Sequence, residues 1–285
     1  MTNRIANVIG DPIAHSKSPL IHNFWLQKLD LAGDYGAIQV KTGGLPEYFE
    51  HQLGVAGWVG CNVTMPHKQA ILPFVHDIDP LAAKLGAVNT IVRQVDDKLK
   101  GFNTDVDGFL EPLSTQLKPR HLFRMARILG TGGAARAIIA GLADNGFTLV
   151  VAGRNQEKAR SLLDELAPSG EHHAVHLSHF AKPTDFEFDD RDGCLDLVVN
   201  ASPLGMTGNP PLEFDWSHAP PGSIAYDIVT SPIETPFLTE ARGAGHPVID
   251  GLSMLVGQAA IAFEKFFGVH PPREYDAELM ELLSK

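Results

Sequence analysis

The run Asn62-Val63-Thr64-Met65-Pro66-His67-Lys68 places two small polar hydrogen-bonding groups and one lysine close together. Asn62 and Thr64 can grip a substrate's oxygens, and Lys68 can carry a proton, so the run is suited to substrate handling. Three companions repeat the theme: Ser16-Lys17-Ser18-Pro19, Gly86-Ala87-Val88-Asn89-Thr90 and Gly101-Phe102-Asn103-Thr104-Asp105. Each sets hydroxyl, amide or carboxylate groups at the end of a predicted element.

The elements that must position them follow from pattern. Gly57-Trp58-Val59-Gly60-Cys61 is short and apolar, and reads as a buried parallel strand whose period of two puts Asn62 and Thr64 on one side. Pro66 ends that strand and suits a helix's first turn, which predicts Lys68 near a helix N-terminus at the strand's carboxyl end. Open α/β sheets bind ligands there. Taken singly, Asn62 and Thr64 also read as turn formers, and Lys68 as a solvated helix residue.

Up to about residue 104, strands at 4–10, 34–40, 57–63 and 88–93 alternate with helical segments at 19–30, 45–53, 68–75 and 80–85. A second βα series starts near residue 125, with strands near 125–130, 148–152, 194–200, 223–229 and 246–249. Residues 181–193, with Pro183 and four aspartates, read as a polar, mobile surface loop. From Leu252 onward the chain is helix-rich.

Composition bounds the function. The 285 residues, 44% hydrophobic and 20% charged, suit a soluble globular protein of one large or two ordinary domains. A net charge of -11 argues against nucleic acid and acidic membranes as partners. Cys61 and Cys194 have no zinc or disulfide spacing, which fits a reducing cytoplasm. No signal core or membrane-spanning stretch is legible.

Ile128-Leu129 leads into Gly130-Thr131-Gly132-Gly133-Ala134-Ala135, the G-x-G-x-x-A form of a dinucleotide fingerprint between a predicted strand and helix. Gly130 permits the tight turn, Gly132 lets the backbone approach a pyrophosphate, and Ala135 allows close helix packing. The helix start at Gly133 and Ala134 offers free N–H groups to the phosphates. The next strand ends in Gly153-Arg154-Asn155, where an acid would hold the ribose of NAD; Arg154 and, one turn on, Lys158 instead suit the 2′-phosphate of NADP. Hydride transfer to a ketone needs a proton donor for the oxygen, and the reverse needs a base, for which Lys68 is the strongest candidate.

With these motifs assembled, the chain resembles the shikimate dehydrogenase family, whose S-x-S, N-V-T-x-P-x-K, G-A-V-N-T and G-x-N-T-D signatures stand here in order. The resemblance spans nearly the whole chain. It implies an α/β protein of two domains: an N-terminal substrate domain (residues 1–104 and 252–285) and an inserted Rossmann-type NADP-binding domain (residues 105–251). The active site would lie in the cleft between them. The implied reaction is NADPH-dependent reduction of 3-dehydroshikimate to shikimate, on the route to chorismate and the aromatic amino acids, in the cytoplasm. Lys68 would shuttle the proton and Asp105 would orient it, although Asp105 also reads as the cap of a helix beginning near Val106. Ser16 and Ser18, on one side of an extended backbone, would hold the substrate carboxylate; Ser18 also reads as a helix cap. Asn62, Thr64, Asn89 and Gln258 would bind ring hydroxyls.

Two further segments match the family. Asn200-Ala201-Ser202-Pro203-Leu204-Gly205-Met206 resembles its N-A-T-x-x-G-M loop, which brings Ser202 and Met206 to the cofactor, and Tyr226-Asp227-Ile228-Val229 resembles its Y-D-x-x strand. Tyr226 would contact substrate or pack inside, and Gly251 would lend its backbone to the nicotinamide amide. The chain departs from the family pattern at Thr230, where a tyrosine is usual, and at Gly153 and Asn155, where Asn and Thr are common. His172, His173, His176 and His179 invite a metal reading, but the strand-like residues among them and the lack of any need for a metal weigh against it. His67 reads as an exposed helix residue, and His15 is similar. Quinate as substrate with NAD beside NADP, a silent nucleotide-binding module, and a homodimeric state all stay open.

Overall fold

The computed structural model describes residues 3–188 and 191–285, in two units: Met1–Asp105 with Val256–Lys285, and Val106–Leu255. The first unit contains β1 (Arg4–Gly10), α1 (Ser18–Lys28), β2 (Gly33–Gln39), α2 (Leu45–Leu53), β3 (Trp58–Val63), β4 (Asp77–Ile78), α3 (Pro80–Leu85), β5 (Thr90–Arg93) and β6 (Leu99–Phe102). Its sheet runs β2-β1-β3-β5-β6-β4. Helical crossovers make β1 parallel to β2 and β3, whereas β5 is antiparallel to both β3 and β6. The strand over 57–63 was expected to be wholly parallel; it is instead the seam between the parallel and antiparallel halves.

Two expectations fail in this unit. Residues 68–75 do not form a helix but a series of turns ending in one 3-10 turn at Leu72–Phe74. Pro73 has no N–H to return to Gln69, whose carbonyl accepts from Leu72 N instead (3.3 Å). β4 and β6 were not anticipated: the first is two residues long, and Leu-Lys-Gly-Phe carries no strand pattern.

In the second unit, α4 (Asp105–Leu110) and α5 (Ser114–Leu117) lead to β7 (Phe123–Leu129), α6 (Gly133–Asp144), β8 (Thr148–Gly153), α7 (Gln156–Leu166) and β9 (His173–His176). β10 (Cys194–Asn200), β11 (Ile224–Asp227), α8 (Pro236–Gly243) and β12 (Val248–Ile249) complete it. All its strand pairs are parallel, in the order β12-β11-β10-β7-β8-β9. The chain winds outward from β7 to β9, then restarts beside β7 at β10 and winds the other way. That reversal between β7 and β10 is the switch point where doubly wound sheets take dinucleotides. Its central strands carry a core of buried apolar residues, among them Ala126, Ile128, Leu149, Val151, Leu197, Val198 and Val199.

The loop expected over 181–193 contains no helix or strand among its described residues; residues 189 and 190, on which the expectation of mobility partly falls, lie outside them. Arg191 is held, its Nη2 donating to Asp196 Oδ2 at 2.6 Å. The C-terminal helices α9 (Gly251–Phe267) and α10 (Asp276–Leu283) return the chain to the first unit, where Arg4 Nη1 donates to the Phe266 carbonyl (3.2 Å) and Lys17 Nζ to the Leu283 carbonyl (2.6 Å). No helix of the described residues is long and apolar enough to cross a membrane.

Candidate active site

Lys68 and Asp105 meet. Lys68 Nζ donates to Asp105 Oδ2 at 2.6 Å, with the side chains 16% and 5% exposed. Lys68 sits in the turn after β3 and not in a helix of its own; its backbone carbonyl accepts from Val88 N (2.8 Å), which fixes that turn to the segment before β5. Asp105 opens α4, but its oxygens are engaged by Lys68 and by Asn89 Nδ2 (2.8 Å), while its own N–H is received by Asn103 Oδ1 (3.0 Å). Asn103 therefore does the capping.

Asn62 and Asn89 stand beside this pair with their hydrogen-bonding capacity nearly spent. Asn89 Nδ2 donates to Asp105 Oδ1 and Thr104 Oγ1, and its Oδ1 accepts from Thr104 N and Thr90 Oγ1. Asn62 Nδ2 donates to the Asn89 carbonyl and to Thr90 Oγ1, and its Oδ1 accepts from the Tyr35 hydroxyl (2.6 Å). One lone pair of Asn62 Oδ1 is left, so a ligand there must present a donor. Gln258, on α9, lies 3.5 Å from Thr104 Oγ1 through its Oε1.

The serine loop differs from the extended geometry expected. Lys17 is in the right-handed helical region (φ -83, ψ -7), and the loop closes as a turn in which Ser18 N donates to Ser16 Oγ (3.3 Å). Lys17 holds the cap position, and Ser18, though buried, has a hydroxyl with no hydrogen-bond partner among the described residues. Thr64 is similar: its N–H donates to the Ile9 carbonyl (2.9 Å) and its hydroxyl is unpaired among the described residues. Sequence reasoning missed Lys17, whose ammonium caps the carbonyl end of α10 and anchors the loop.

His67 is buried, not exposed as expected, because no helix carries it outward. Its Nε2 donates to the Val40 carbonyl at 2.5 Å, tying the Lys68 turn to the end of β2.

In the second unit the glycine turn has the geometry of a phosphate cradle. Gly130 follows β7 with φ +139, and a Cβ there would lie 2.5 Å from the Ala201 carbonyl oxygen, so only glycine fits where the β7 and β10 loops meet. Gly132 is the uncapped N-cap of α6, and a Cβ built on it meets nothing within 4 Å. The first turn of α6, from Gly133 and Ala134, has neither a side-chain cap nor an acidic residue, which leaves its N–H groups to an anion, as helix N-termini generally allow. Ala135 is buried in the packing of α6.

After β8, Asn155 Oδ1 caps α7 through Lys158 N (2.9 Å). The Arg154 and Lys158 side chains are exposed with no ion pair among the described residues, placing two uncommitted cations beside the cradle strand. At Gly153 a Cβ would come 2.7 Å from Thr131 Cγ2.

The loop over 200–206 is knotted to β11. Asn200 Nδ2 donates to Asp227 Oδ1 (3.0 Å) and Asn200 Oδ1 accepts from Ser202 Oγ (2.7 Å), while Asp227 Oδ2 accepts from Thr235 Oγ1 (2.7 Å). Burial pushes the Asp227 carboxyl above the usual range, opposed by hydrogen bonds from Thr235, the Val229 N–H and Asn200. This fixes Ser202 and Met206 without a cation. Gly251 packs so closely that a Cβ would lie 2.3 Å from the Val229 carbonyl oxygen. Tyr226 is fully buried, stacked on Phe109 (4.7 Å between centroids), and its hydroxyl has no partner among the described residues. Burial raises that phenol's pKa.

Among the described residues no three His, Cys, Asp or Glu side chains gather to hold a metal ion. His172 Nδ1 accepts from Leu149 N (3.1 Å) and His176 Nδ1 from Ser178 N (3.2 Å), so both serve the local backbone.

Fold and site together define a two-unit α/β protein, one unit with dinucleotide-binding topology and the other with a lysine–carboxylate centre. Its relatives agree. The family model of the shikimate dehydrogenase substrate-binding domain matches residues 8–91, and that of the shikimate 5'-dehydrogenase C-terminal domain matches residues 251–281. A shikimate dehydrogenase (NADP(+)) of Sphingopyxis alaskensis is 45% identical over 280 residues, 98% of this chain and 96% of that one. The shikimate 5-dehydrogenase of Thermus thermophilus, solved with NADP(H) and shikimate, matches with a TM-score of 0.79 and 33% identity over 98% of this chain and 99% of that one. The quinate dehydrogenase of Corynebacterium glutamicum, solved with NAD, matches at 0.81 and 28% identity over 98% and 99%. The chain belongs to the shikimate dehydrogenase family.

Proposed function

We propose that this protein is an NADP-dependent shikimate dehydrogenase that reversibly reduces 3-dehydroshikimate to shikimate in the cytoplasm, on the route to chorismate. The observation that carries the reading is the shielded Lys68–Asp105 pair, held by Asn89 within a buried hydrogen-bond network. The first unit serves as the substrate domain and the second as the NADP-binding domain.

NADPH, when bound, supplies the hydride. Lys68 gives its proton to the carbonyl oxygen as negative charge develops there, and in the oxidative direction the neutral amine takes the hydroxyl proton. Asp105 holds the ammonium in place and accepts from a ring hydroxyl. The unpaired hydroxyls of Ser18 and Thr64, with Ser16, grip the carboxylate and ring; Asn62, Asn89 and Gln258 line the hydroxyl side. The N–H groups from Gly130 to Ala135 take the pyrophosphate. Gly153, Arg154, Asn155 and Lys158 take the adenosine 2′-phosphate, and Ser202, Met206 and Gly251 surround the nicotinamide. This polar lining rejects a polyol with a misplaced hydroxyl, because a buried group would be left unpaired.

Oxidation of shikimate and of quinate, each with NADP and NAD, followed by nicotinamide absorbance beside a Lys68→Ala control, tests the assignment. Turnover confined to shikimate with NADP, and lost in the control, is expected. The likeness to a quinate dehydrogenase solved with NAD motivates a second reading, dual specificity, which comparable turnover of quinate or NAD would favour. No turnover in any combination would leave a silent nucleotide-binding module.

A further inference from the structure

The Tyr35 hydroxyl, Asn62, Thr90 and Asn89 form one continuous line of hydrogen bonds ending on Asp105. Backbone groups settle its direction. Asn62 Nδ2 faces the Asn89 carbonyl (3.2 Å), which can only accept, so Asn62 Oδ1 must receive the Tyr35 proton (2.6 Å). Burial raises the Tyr35 phenol well above its ordinary pKa, which keeps that proton in place. Asn89 Oδ1 receives the Thr104 N–H (2.9 Å), which can only donate, so Asn89 Nδ2 must point at Asp105 Oδ1 (2.8 Å). Thr90 Oγ1 joins the two amides: it accepts from Asn62 Nδ2 (3.0 Å) and gives its own proton to Asn89 Oδ1 (2.9 Å). Every donor points toward the carboxylate, so each bond polarises the next in the same sense.

The line is walled from water, with Tyr35 at 1% exposure, Asn62 at 6%, Asn89 at 2% and Thr90 at 0%. Its far end is anchored independently. Asn23 clamps the Tyr35 backbone from both sides, Nδ2 to the Tyr35 carbonyl (2.9 Å) and Oδ1 from the Tyr35 N–H (3.0 Å), and the ring lies flat on His22. Tyr35 stands opposite Ala6 in the β1–β2 register and Asn62 opposite Val8 in the β1–β3 register, so the phenol reaches across β1. Strands β2, β3 and β5 thereby act together on one carboxylate.

We propose that Tyr35 and Thr90 are positioning residues: through Asn62 and Asn89 they hold the Asp105 carboxylate, and with it Lys68, in the one orientation that serves the reaction. Neither need touch substrate. The inference rests on the shikimate dehydrogenase reading.

The test uses the full chain with Thr90→Val, which keeps the shape and loses the hydroxyl, Thr90→Ser, which restores it, Tyr35→Phe, and the Tyr35→Phe/Thr90→Val double variant. Activity is counted per NADPH-binding site so that misfolded protein does not enter. Thr90→Val is expected to lower kcat for shikimate oxidation about five- to tenfold, the scale of one lost hydrogen bond, with KM for NADP within about twofold. Thr90→Ser should recover most of it. Tyr35→Phe should cost less, and the double variant should lose less than the product of the single losses, because the second cut falls on a line already broken. An unchanged kcat in Thr90→Val, no rescue by serine, or strictly multiplicative losses would overturn the proposal. Should the wild type fail to oxidise shikimate, the functional reading falls, and exchange of the Asn62 and Asn89 side-chain amide protons by NMR still decides the line. Slow exchange in the wild type that quickens in Thr90→Val supports it, and fast exchange in the wild type refutes it.

Discussion

His22 lies face to face on Tyr35, with ring centroids 3.9 Å apart and planes 3° from parallel. It is fully buried, neither ring nitrogen has a partner among the described residues, and Trp25 and Phe263 close round it. Burial lowers its pKa from 6.5 to about 3. It is an aromatic spacer that must stay neutral.

The acid sensitivity follows in sign. The unfolded chain takes up the His22 proton near pH 6.5 and the folded chain only near pH 3, so this contribution is complete above neutrality and is lost as pH falls. Between pH 7 and pH 5 it amounts to about 2 kcal/mol. Urea unfolding of the wild type and His22→Phe at both pH values should show the variant's acid loss smaller by that amount. Equal losses would mean that His22 is not held neutral.

Gly130 and Gly132 should respond oppositely to a methyl group. Gly130→Ala drives a Cβ against the Ala201 carbonyl at a φ of +139, so it should destabilise the protein by about 2 kcal/mol or more. Gly132→Ala meets nothing in the protein and should leave the melting temperature nearly unchanged. Its methyl projects where the pyrophosphate would lie, so KM for NADP should rise about tenfold. Thermal melts beside cofactor titrations separate the two.

Arg154→Ala should raise KM for NADP about tenfold or more and change that for NAD by less than about twofold, since the exposed guanidinium has no other partner to lose. Equal losses with both cofactors would remove Arg154 from 2′-phosphate recognition.

Lys17→Met should loosen the serine loop, because the bond from Lys17 Nζ to the Leu283 carbonyl is lost while the aliphatic stem remains. We expect KM for shikimate to rise severalfold with kcat little changed and stability lower by about 1 kcal/mol. A fall in kcat alone would mean that the loop serves the chemical step instead.

Much of this was legible in sequence because it is local. The 45–53 and 80–85 helices announce themselves with proline in the first turn, and the glycine turn between β7 and α6 carries its own fingerprint. The Lys68 turn misled because Pro66 was read as a helix opener while Pro73 went unweighed. What could not be read is what the sheet order assembles. Tyr35, Asn62 and Thr90 lie on three strands, and nothing near Tyr35 in sequence announces that its ring will cross β1. Thr90 had a signal that went unused: it stood in the Gly86–Thr90 run beside Asn89, yet is as buried as any core residue. The Asn200–Asp227–Thr235 knot escaped for the same reason, three polar residues far apart in sequence meeting inside one unit.

The return of the last helices has a consequence for the order in which the protein is made. The second unit is one uninterrupted stretch of chain that is complete by Leu255. The first unit has its whole sheet by Phe102, yet Arg4, Lys17 and the packing beside Gly33 wait on Phe266, Leu283 and Phe267. The Lys68–Asp105 centre therefore belongs to the half of the protein that is emitted early and finished last.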